Sequence, residues 1–436
     1  LKFYGELFDP VFGGIKGAPK FPSSLPMNFF MNAFYQNPDK KILEKVNITL
    51  KNMARGGMYD HVAGGFHRYS TDETWLVPHF EKMLYDNALL AINYLYAYQI
   101  TKNEEFKIVA METLDYVKKE MTSPEGSFFS ATDADSRGPL GHMEEGYFFT
   151  WTPEELASIL TKEELTLVTK VYQVTSRGNF EQGRTILNKK SSPEVLATSL
   201  NLPIEEFFKR LNSAKSKMHL ERNRRPPPLR DDKIITSWNG LMIKAFSLGA
   251  SILNSSRYLD VAKSSADFFL EKINQDGIIH RTYKNNQKSV PGFLDDYVFL
   301  LNGFLSLYQA SFEEKYLEMA IKMADIIETS FLDSENGGYY FSGNNHEQLL
   351  VREKSYYDGA IPSGNSVHAS NLLFLTKLTG DQSYYKRAKK LMTAFYSQTS
   401  NFRGHSIFME ALQFYFSSSS KEVVIVTNDK SAPEVK

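Results

Sequence analysis

The sequence predicts an all-α fold, an (α/α)6 toroid of six helical hairpins with short β-hairpins in the loops at one end. Paired helical segments recur along the chain, with apolar residues near the 3.6-residue period. Glycine-containing loops with aromatic, strand-like pieces follow the pairs and recur about every fifty to sixty residues, which is long for a solenoid. Polar residues collect where the first helix of each pair begins, so one shared mouth is expected. A straight superhelical array is the competing architecture.

The helical segments can be placed from their periodicity and from the turn residues between them. The predicted pairs are 27–36 with 40–54, 79–100 with 104–120, 237–254 with 257–274, 294–310 with 313–330, and 364–379 with 382–398, before a last helix at 405–417.

Composition excludes several classes of function. The 436 residues carry a net charge of −1, so no electrostatic footprint for nucleic acid is present. Cysteine is absent, which excludes disulfides, zinc–thiolate sites and cysteine nucleophiles within this chain. No apolar run approaches the ~20 residues of a membrane span. We therefore expect no nucleic-acid or membrane partner, no cofactor and no metal, and a cytoplasmic location.

The barrel is expected to span residues 1–417, with a helical insertion around 153–230 that ends near a proline triplet. Within it, Thr152 and Glu155 form a predicted capping box, with Pro153 at the first helical position. Residues 418–436 contain a strand-like run that needs a sheet to join, so we expect a truncated tail there.

The stretch 56–89 holds the main site candidates. Its helix is expected to begin near His79, with Glu81 and Asp86 as carboxylates beside a histidine that can move a proton. The alternative is a structural hydrogen-bond network at the helix start. His67 and Arg68 lie on a strand-like piece that sends them to opposite faces, and His67 is a further catalytic candidate.

Other polar residues are assigned to substrate binding, each with a structural alternative. Asp133 and Asp135 lie between GSFFSA and GYFFTW, which are predicted as strands of one hairpin. Asp296 is a catalytic candidate at a helix start, where it could also cap the helix. Trp238 could offer a sugar platform or fill the core. The remaining predicted substrate contacts are Tyr85, Asn87, Arg68, Asn239, Asp295, Tyr297, Ser363 and Asn365.

Several motifs resemble one family: GAPKFPSSLP, GGMYDHVAGGFHRYSTDETWLVPHFEKMLYDNALL, FFSATDADS, EEGYFFTWTPEEL, DDKIITSWNGLMI, FLDDYVFLLNG and YYDGAIPSGNSV. The chain resembles the thioredoxin-domain-containing family related to spermatogenesis-associated proteins. That resemblance implies an N-terminal thioredoxin-like domain that is absent here. It also implies a barrel similar to those of N-acylglucosamine 2-epimerases and six-hairpin glycosidases, and so supports the toroid without fixing a reaction.

Two functions remain open at this point. The first is a carbohydrate-active enzyme, epimerase-like, isomerase-like or hydrolase-like, that uses histidine and carboxylate acid–base chemistry on a small carbohydrate-like ligand in the central cavity. The second is a non-catalytic glycan- or protein-binding module that partners a thioredoxin-like domain. His368 and His405 lie in or before late inner helices, and no motif assigns either of them a role.

Overall fold

The computed structural model describes residues 1–285, 287–347, 350–396 and 404–417. The predicted run at 421–428 lies outside these residues. The described part is mainly helical. Its α-helices are α1 Lys2–Leu7, α2 Met27–Gln36, α3 Lys40–Arg55, α4 Leu84–Thr101, α5 Glu104–Glu120, α6 Pro153–Ile159, α7 Lys162–Val171, α8 Pro193–Ser199, α9 Ile204–Arg222, α10 Thr236–Leu253, α11 Ser256–Asp276, α12 Leu294–Ser311, α13 Glu314–Phe331, α14 Gly364–Thr379, α15 Gln382–Tyr396 and α16 Ser406–Phe416.

Short antiparallel strands lie in the loops. They are β1 Tyr69–Ser70, β2 Pro78–His79, β3 Lys82–Met83, β4 Ala131–Thr132, β5 Asp135–Arg137, β6 Met143–Glu145, β7 Arg230–Asp231, β8 Ile234–Ile235, β9 Thr282–Lys284 and β10 Gln287–Lys288. Strand β1 pairs with β2 and β5 with β6, whereas β3, β4 and β7 form one three-stranded sheet and β8, β9 and β10 another.

Six inner helices close into a ring. Helix α2 contacts α4, and contacts continue through α10, α12, α14 and α16, which packs back on α2. Helices α3, α5, α11, α13 and α15 each pack outside the inner helix that precedes them. Since each outer helix returns the chain, the inner helices begin at the same end of the ring. The predicted toroid is confirmed, and the straight array is excluded by the contact between α16 and α2.

Helix α4 does not begin near His79, as the sequence suggested. Residues 78–79 pair with 69–70, and residues 82–83 pair with 131–132, so this segment is extended and the helix starts at Leu84. The difference matters for the site, because residues two apart share one face of an extended chain and diverge on a helix.

The predicted hairpin also differs. Its strands are β5 and β6, which lie between GSFFSA and GYFFTW, and the second motif forms a turn against the core. Thr152 forms the predicted capping box with Glu155, so the local N-terminal signal of α6 is confirmed.

One loop design occurs three times after helices. An aspartate carboxylate accepts the backbone N–H groups of the residues two and three positions later in the chain. The same carboxylate binds a lysine ammonium. This ammonium also donates a hydrogen bond to the carbonyl of a glycine four residues after the aspartate. The glycine has a positive φ, which a side chain would strain. The three sets are Asp9, Gly13 and Lys20; Asp60, Gly64 and Lys82; and Asp333, Gly337 and Lys354.

Helices α6 to α9 build a second apolar cluster around Trp151, Val168 and Phe207, separate from the main core of the ring. Arg222 at the end of α9 reaches back to Asp60, with 2.9 Å between guanidinium and carboxylate. This contact joins the α6–α9 region to the ring. Within the described residues, no helix combines the length and the apolar character needed to cross a bilayer.

Helices α10 and α12 approach each other closely at two glycines. A Cβ built on Gly240 would lie 2.4 Å from the backbone carbon of Phe299, and one built on Gly303 would lie 2.7 Å from the carbonyl oxygen of Gly240. Backbone atoms cannot rotate away, so the two glycines set the spacing of these inner helices.

Replacing Gly240 with alanine is therefore expected to lower the free energy of unfolding by about 1–3 kcal/mol, the usual cost of overpacking. Gly5→Ala is the matched control, because a Cβ there has open space around it. Urea denaturation of both variants measures the effect. Equal stabilities for the two would show that the helices separate without cost.

Candidate active site

A row of contacting polar side chains lies at the rim of the ring, next to the start of α4. The imidazole of His79 lies between two carboxylates, 2.7 Å from Glu145 and 3.2 Å from Glu81. Arg68 binds the same oxygen of Glu81, Oε2, at 3.1 Å. His79 and Glu81 meet because the segment is extended. These groups are half-buried or exposed, so protons can pass between them and solvent.

The next side chain of this polar row, towards the mouth of the ring, is Tyr85. Its hydroxyl hydrogen-bonds Arg68, and burial raises the pKa of this phenol to about 12. The Tyr85 ring meets the edge of Trp238, with 4.8 Å between ring centroids. One aromatic contact thus joins the starts of α4 and α10.

Asp86 follows Tyr85 in the first turn of α4 and is 7% exposed. Burial raises the pKa of its carboxyl well above the usual range, and Arg68 only partly offsets this effect. Its Oδ2 atom has no hydrogen-bond partner in the part of the chain that the structure describes. Burial thus favours the protonated form of this carboxyl, which is the form that can act as a general acid.

Asp86 lines a pocket of about 70 Å³ at the N-terminal ends of α2, α4 and α16. Asp358 and Glu410, which the sequence analysis did not single out, line it as well. Burial raises the pKa of Glu410 to about 8, although Lys244 on the opposite side of the ring counteracts this. Asp358 has a pKa raised to about 6, again by burial.

Asp358 is also a structural group. Its carboxylate accepts the backbone N–H groups of Ser363, Ile407 and Phe408. It therefore ties the loop before α14 to the first turn of α16, and holds Glu410 in place one turn further on.

The predicted catalytic role of Asp296 needs correction. Asp296 is fully buried and accepts the backbone N–H groups of Ser237 and Phe293, with Arg281 at 3.2 Å. Its oxygens cap α12 and link it to α10. Asp295 lies beside the first residue of α14, and burial together with Asp296 raises its pKa to about 7.

The three predicted substrate amides are also structural. Each asparagine side chain is fully buried. Its oxygen accepts the backbone N–H of one loop residue, and its NH2 group donates to the carbonyl of that same residue and to one further backbone carbonyl. Asn87 binds Phe66, Asn239 binds Phe128, and Asn365 binds Tyr339. No amide atom remains for a ligand, so we call this arrangement the asparagine clamp.

Four further predicted residues make contacts within the protein. His67 is 1% exposed between Phe80 and Phe149, and burial lowers its pKa to about 3. The Tyr297 hydroxyl accepts the N–H of Ile279. Ser363 caps α14 through the N–H of Ser366, and Asp133 is exposed and accepts the N–H of Asp135.

Asp135 stays at the rim. Burial and the nearby carboxylates Asp133 and Glu145 raise its pKa, whereas His79 lowers it. The structure thus gathers Arg68, His79, Glu81, Tyr85, Asp86, Asp135 and Trp238 at one mouth. It adds Glu145, Asp358 and Glu410 to the set. Glu410 was recognisable as the one charged residue of α16, SIFMEALQFYF.

The fold defines a class of protein, the (α/α)6 barrels. The structure of cellobiose 2-epimerase from Bacillus thermoamylovorans is similar with a TM-score of 0.57 at 12% identity, over 91% of this chain and 84% of that chain. Residues 272–423, less than half of the chain, match the model of glycosyl hydrolase family 47.

More closely, the chain is a homologue of spermatogenesis-associated protein 20. It is 36% identical to the human protein over 424 residues, which is 89% of this chain and 54% of that protein. An uncharacterised protein of Caenorhabditis elegans is 30% identical over 414 residues, covering 88% of this chain and 56% of that protein. The chain thus spans about half the length of these relatives. The predicted family resemblance is confirmed.

Proposed function

We propose that this barrel is a carbohydrate-active enzyme that performs acid–base chemistry on a small sugar at the mouth of the ring. The observation that carries this proposal is Asp86, a buried carboxyl at a pocket, whose Oδ2 atom has no hydrogen-bond partner among the described residues and whose pKa is raised by burial. The match to a glycosyl hydrolase family and the likeness to a sugar epimerase fold support the substrate class.

In a hydrolytic reaction, Asp86 donates its proton to the glycosidic oxygen as the bond from that oxygen to carbon breaks. Water adds to the carbon, and its proton passes to a carboxylate. Glu81 and His79 are suited to exchange protons with solvent, since they form one hydrogen-bonded chain with Arg68. Trp238 offers a ring face or edge for the sugar.

A second candidate reaction is epimerisation or isomerisation. It is favoured by His79, whose ring lies between two carboxylates and can carry a proton to or from a carbon beside a carbonyl group. His368 and His405 are less suitable: His368 is fully buried against Tyr339, and His405 is 7% exposed and stacks on Tyr356.

The experiment separates the two reactions. The protein is incubated with nitrophenyl glycosides and, separately, with free aldoses and disaccharides in D2O. Nitrophenolate release identifies a hydrolase, deuterium at carbon 2 of an aldose product identifies an epimerase, and deuterium at carbon 1 of a ketose product identifies an isomerase. Binding in a thermal-shift assay without either reaction would favour the glycan-binding module.

The full-length setting is also part of the proposal. The family resemblance implies a thioredoxin-like domain on the same polypeptide, and the cytoplasmic location expected from the sequence is retained as a proposal. Fractionation of cells that express the full-length protein tests the location. A protein found mainly outside the cytoplasmic fraction would contradict it.

A further inference from the structure

Three side-chain oxygens of the pocket have no hydrogen-bond partner within the described ranges of the chain. They are Oδ1 of Asn28 on α2, Oδ2 of Asp86 on α4 and Oε1 of Glu410 on α16. All three residues line the same pocket, and Asp86 is more than nine-tenths buried there. Buried acceptors without donors are costly, so a ligand that supplies donors would be stabilised by all three.

The pocket lining is acidic. Among the described residues, its ionisable side chains are Asp86, Asp358 and Glu410, and no described lysine, arginine or histidine lines it. Two cations act on these carboxyls without lining the pocket: Arg68 lowers the pKa of Asp86, and Lys244 lowers the pKa of Glu410. A ligand carboxylate would meet Asp358, whose pKa of about 6 leaves it largely ionised at pH 7, and no described cation of the lining.

Burial raises the pKa of Asp86 well above its usual range and that of Glu410 to about 8, so both protonated forms are favoured and Glu410 is largely protonated at pH 7. A protonated carboxyl both donates and accepts hydrogen bonds. A sugar hydroxyl has the same two capabilities, whereas an ammonium group only donates. Apolar side chains of Met27, Leu89 and Leu90 add a surface for the C–H face of a sugar ring.

From these contacts we propose that the pocket binds an uncharged sugar unit through several of its hydroxyl groups and excludes sugars that carry a carboxylate. This inference rests on the proposed function and deepens it, because it names the substrate class of the same site. Asn28 and Glu410 are then specificity residues.

Matched monosaccharides test this inference by titration calorimetry at pH 7. The pairs are glucose with glucuronate, mannose with mannuronate, and galactose with galacturonate, and glucosamine provides an ammonium in the same framework. We expect at least one neutral sugar to bind at least tenfold more tightly than its uronate. An equal or tighter uronate, or glucosamine tenfold tighter than glucose, overturns the inference.

Two variants locate the effect. Glu410→Gln keeps the size of the side chain and cannot ionise, so the increase in preference against uronates that we expect of wild type above about pH 8 should be absent from this variant. Asn28→Asp adds a carboxylate and should increase the preference at pH 7. An increase retained in Glu410→Gln together with an unchanged preference in Asn28→Asp, at unchanged melting temperatures, would place the binding elsewhere. If a variant fails to fold, the wild-type pairs still decide.

The outcomes separate this inference from the proposed function. Turnover of neutral and acidic sugars alike would keep the enzyme and contradict the specificity. Selective binding of neutral sugars without any turnover would keep the specificity and contradict the enzyme.

Discussion

Replacing Asp60 with asparagine is expected to lower the free energy of unfolding by about 3–5 kcal/mol, because it leaves two buried cations without their counter-ion. The Lys82 ammonium lies 2.8 Å from one carboxylate oxygen, and the Arg222 guanidinium lies 2.9 Å from the carboxylate. All three side chains are at most 4% exposed. Asparagine keeps the shape of the side chain, so the loss is one of charge.

The pH dependence gives the sign of this effect. The two cations hold the pKa of Asp60 well below its usual range, although burial alone would raise it. A depressed pKa contributes stability above the unfolded value of about 3.9, and this contribution is lost as pH falls through the folded pKa. The stability difference between wild type and Asp60→Asn should therefore shrink below about pH 4.

Two controls are available in the same chain. Asp333→Asn removes the equivalent carboxylate in a repeated loop that has only one cation, Lys354, and should cost less, about 1–3 kcal/mol. Glu221→Gln breaks an exposed pair with Arg224 and should change stability by less than about 0.5 kcal/mol. Equal costs for Asp60→Asn and Asp333→Asn in urea denaturation would contradict the special role of the second cation.

Replacing Asp86 with asparagine is expected to lower kcat by about 10²–10⁴-fold, the usual contribution of a general acid. Asparagine has nearly the same size but no acidic proton. Since burial disfavours the ionised Asp86, the variant should be at least as stable as wild type at pH 7. Kinetics on the best substrate, together with a melting curve, measure both effects.

The pH profile makes this prediction more specific. The acid must be protonated, so wild-type kcat/KM should fall as pH rises through the raised pKa of Asp86. That limb should be absent from any residual activity of Asp86→Asn. Glu206→Gln, on the outer surface of α9, is the matched control and should retain full activity. Activity of Asp86→Asn within threefold of wild type would exclude Asp86 as the acid.

Local signals in the sequence predicted the helices well. Helix α5 and helix α14 have the predicted bounds, because periodicity, Asn103 as a cap and Gly380 at the end all act within a few residues. The start of α4 was wrong because its extended approach depends on pairing with residues 131–132, about fifty positions away. The helix propensity of a short sequence segment contains no information about a strand partner so far away.

The site was predicted less completely, for a similar reason. Asn239 looked like a ligand contact, but its backbone partner Phe128 lies 111 residues earlier in the chain. Glu410 was missed because the burial that raises its pKa arises only when α16 packs against α14 and α2. The repeated spacing of Asp60 to Gly64 and of Asp333 to Gly337 was visible in the sequence and would have identified the structural loops.

The asparagine clamp has a consequence for how this mouth can change. Each clamp binds only main-chain atoms of the loop, so loop side chains can be exchanged without loosening the helix start. The residue before each clamp asparagine differs: Asp86, Trp238 and Gly364, which are a carboxyl, an indole and no side chain at all. Three of the inner helices thus share one scaffold and differ in the residue before the clamp. A Cβ on Gly364 would lie 2.5 Å from Oδ1 of Asp295, so new side chains are more readily introduced at positions 86 and 238 than at 364.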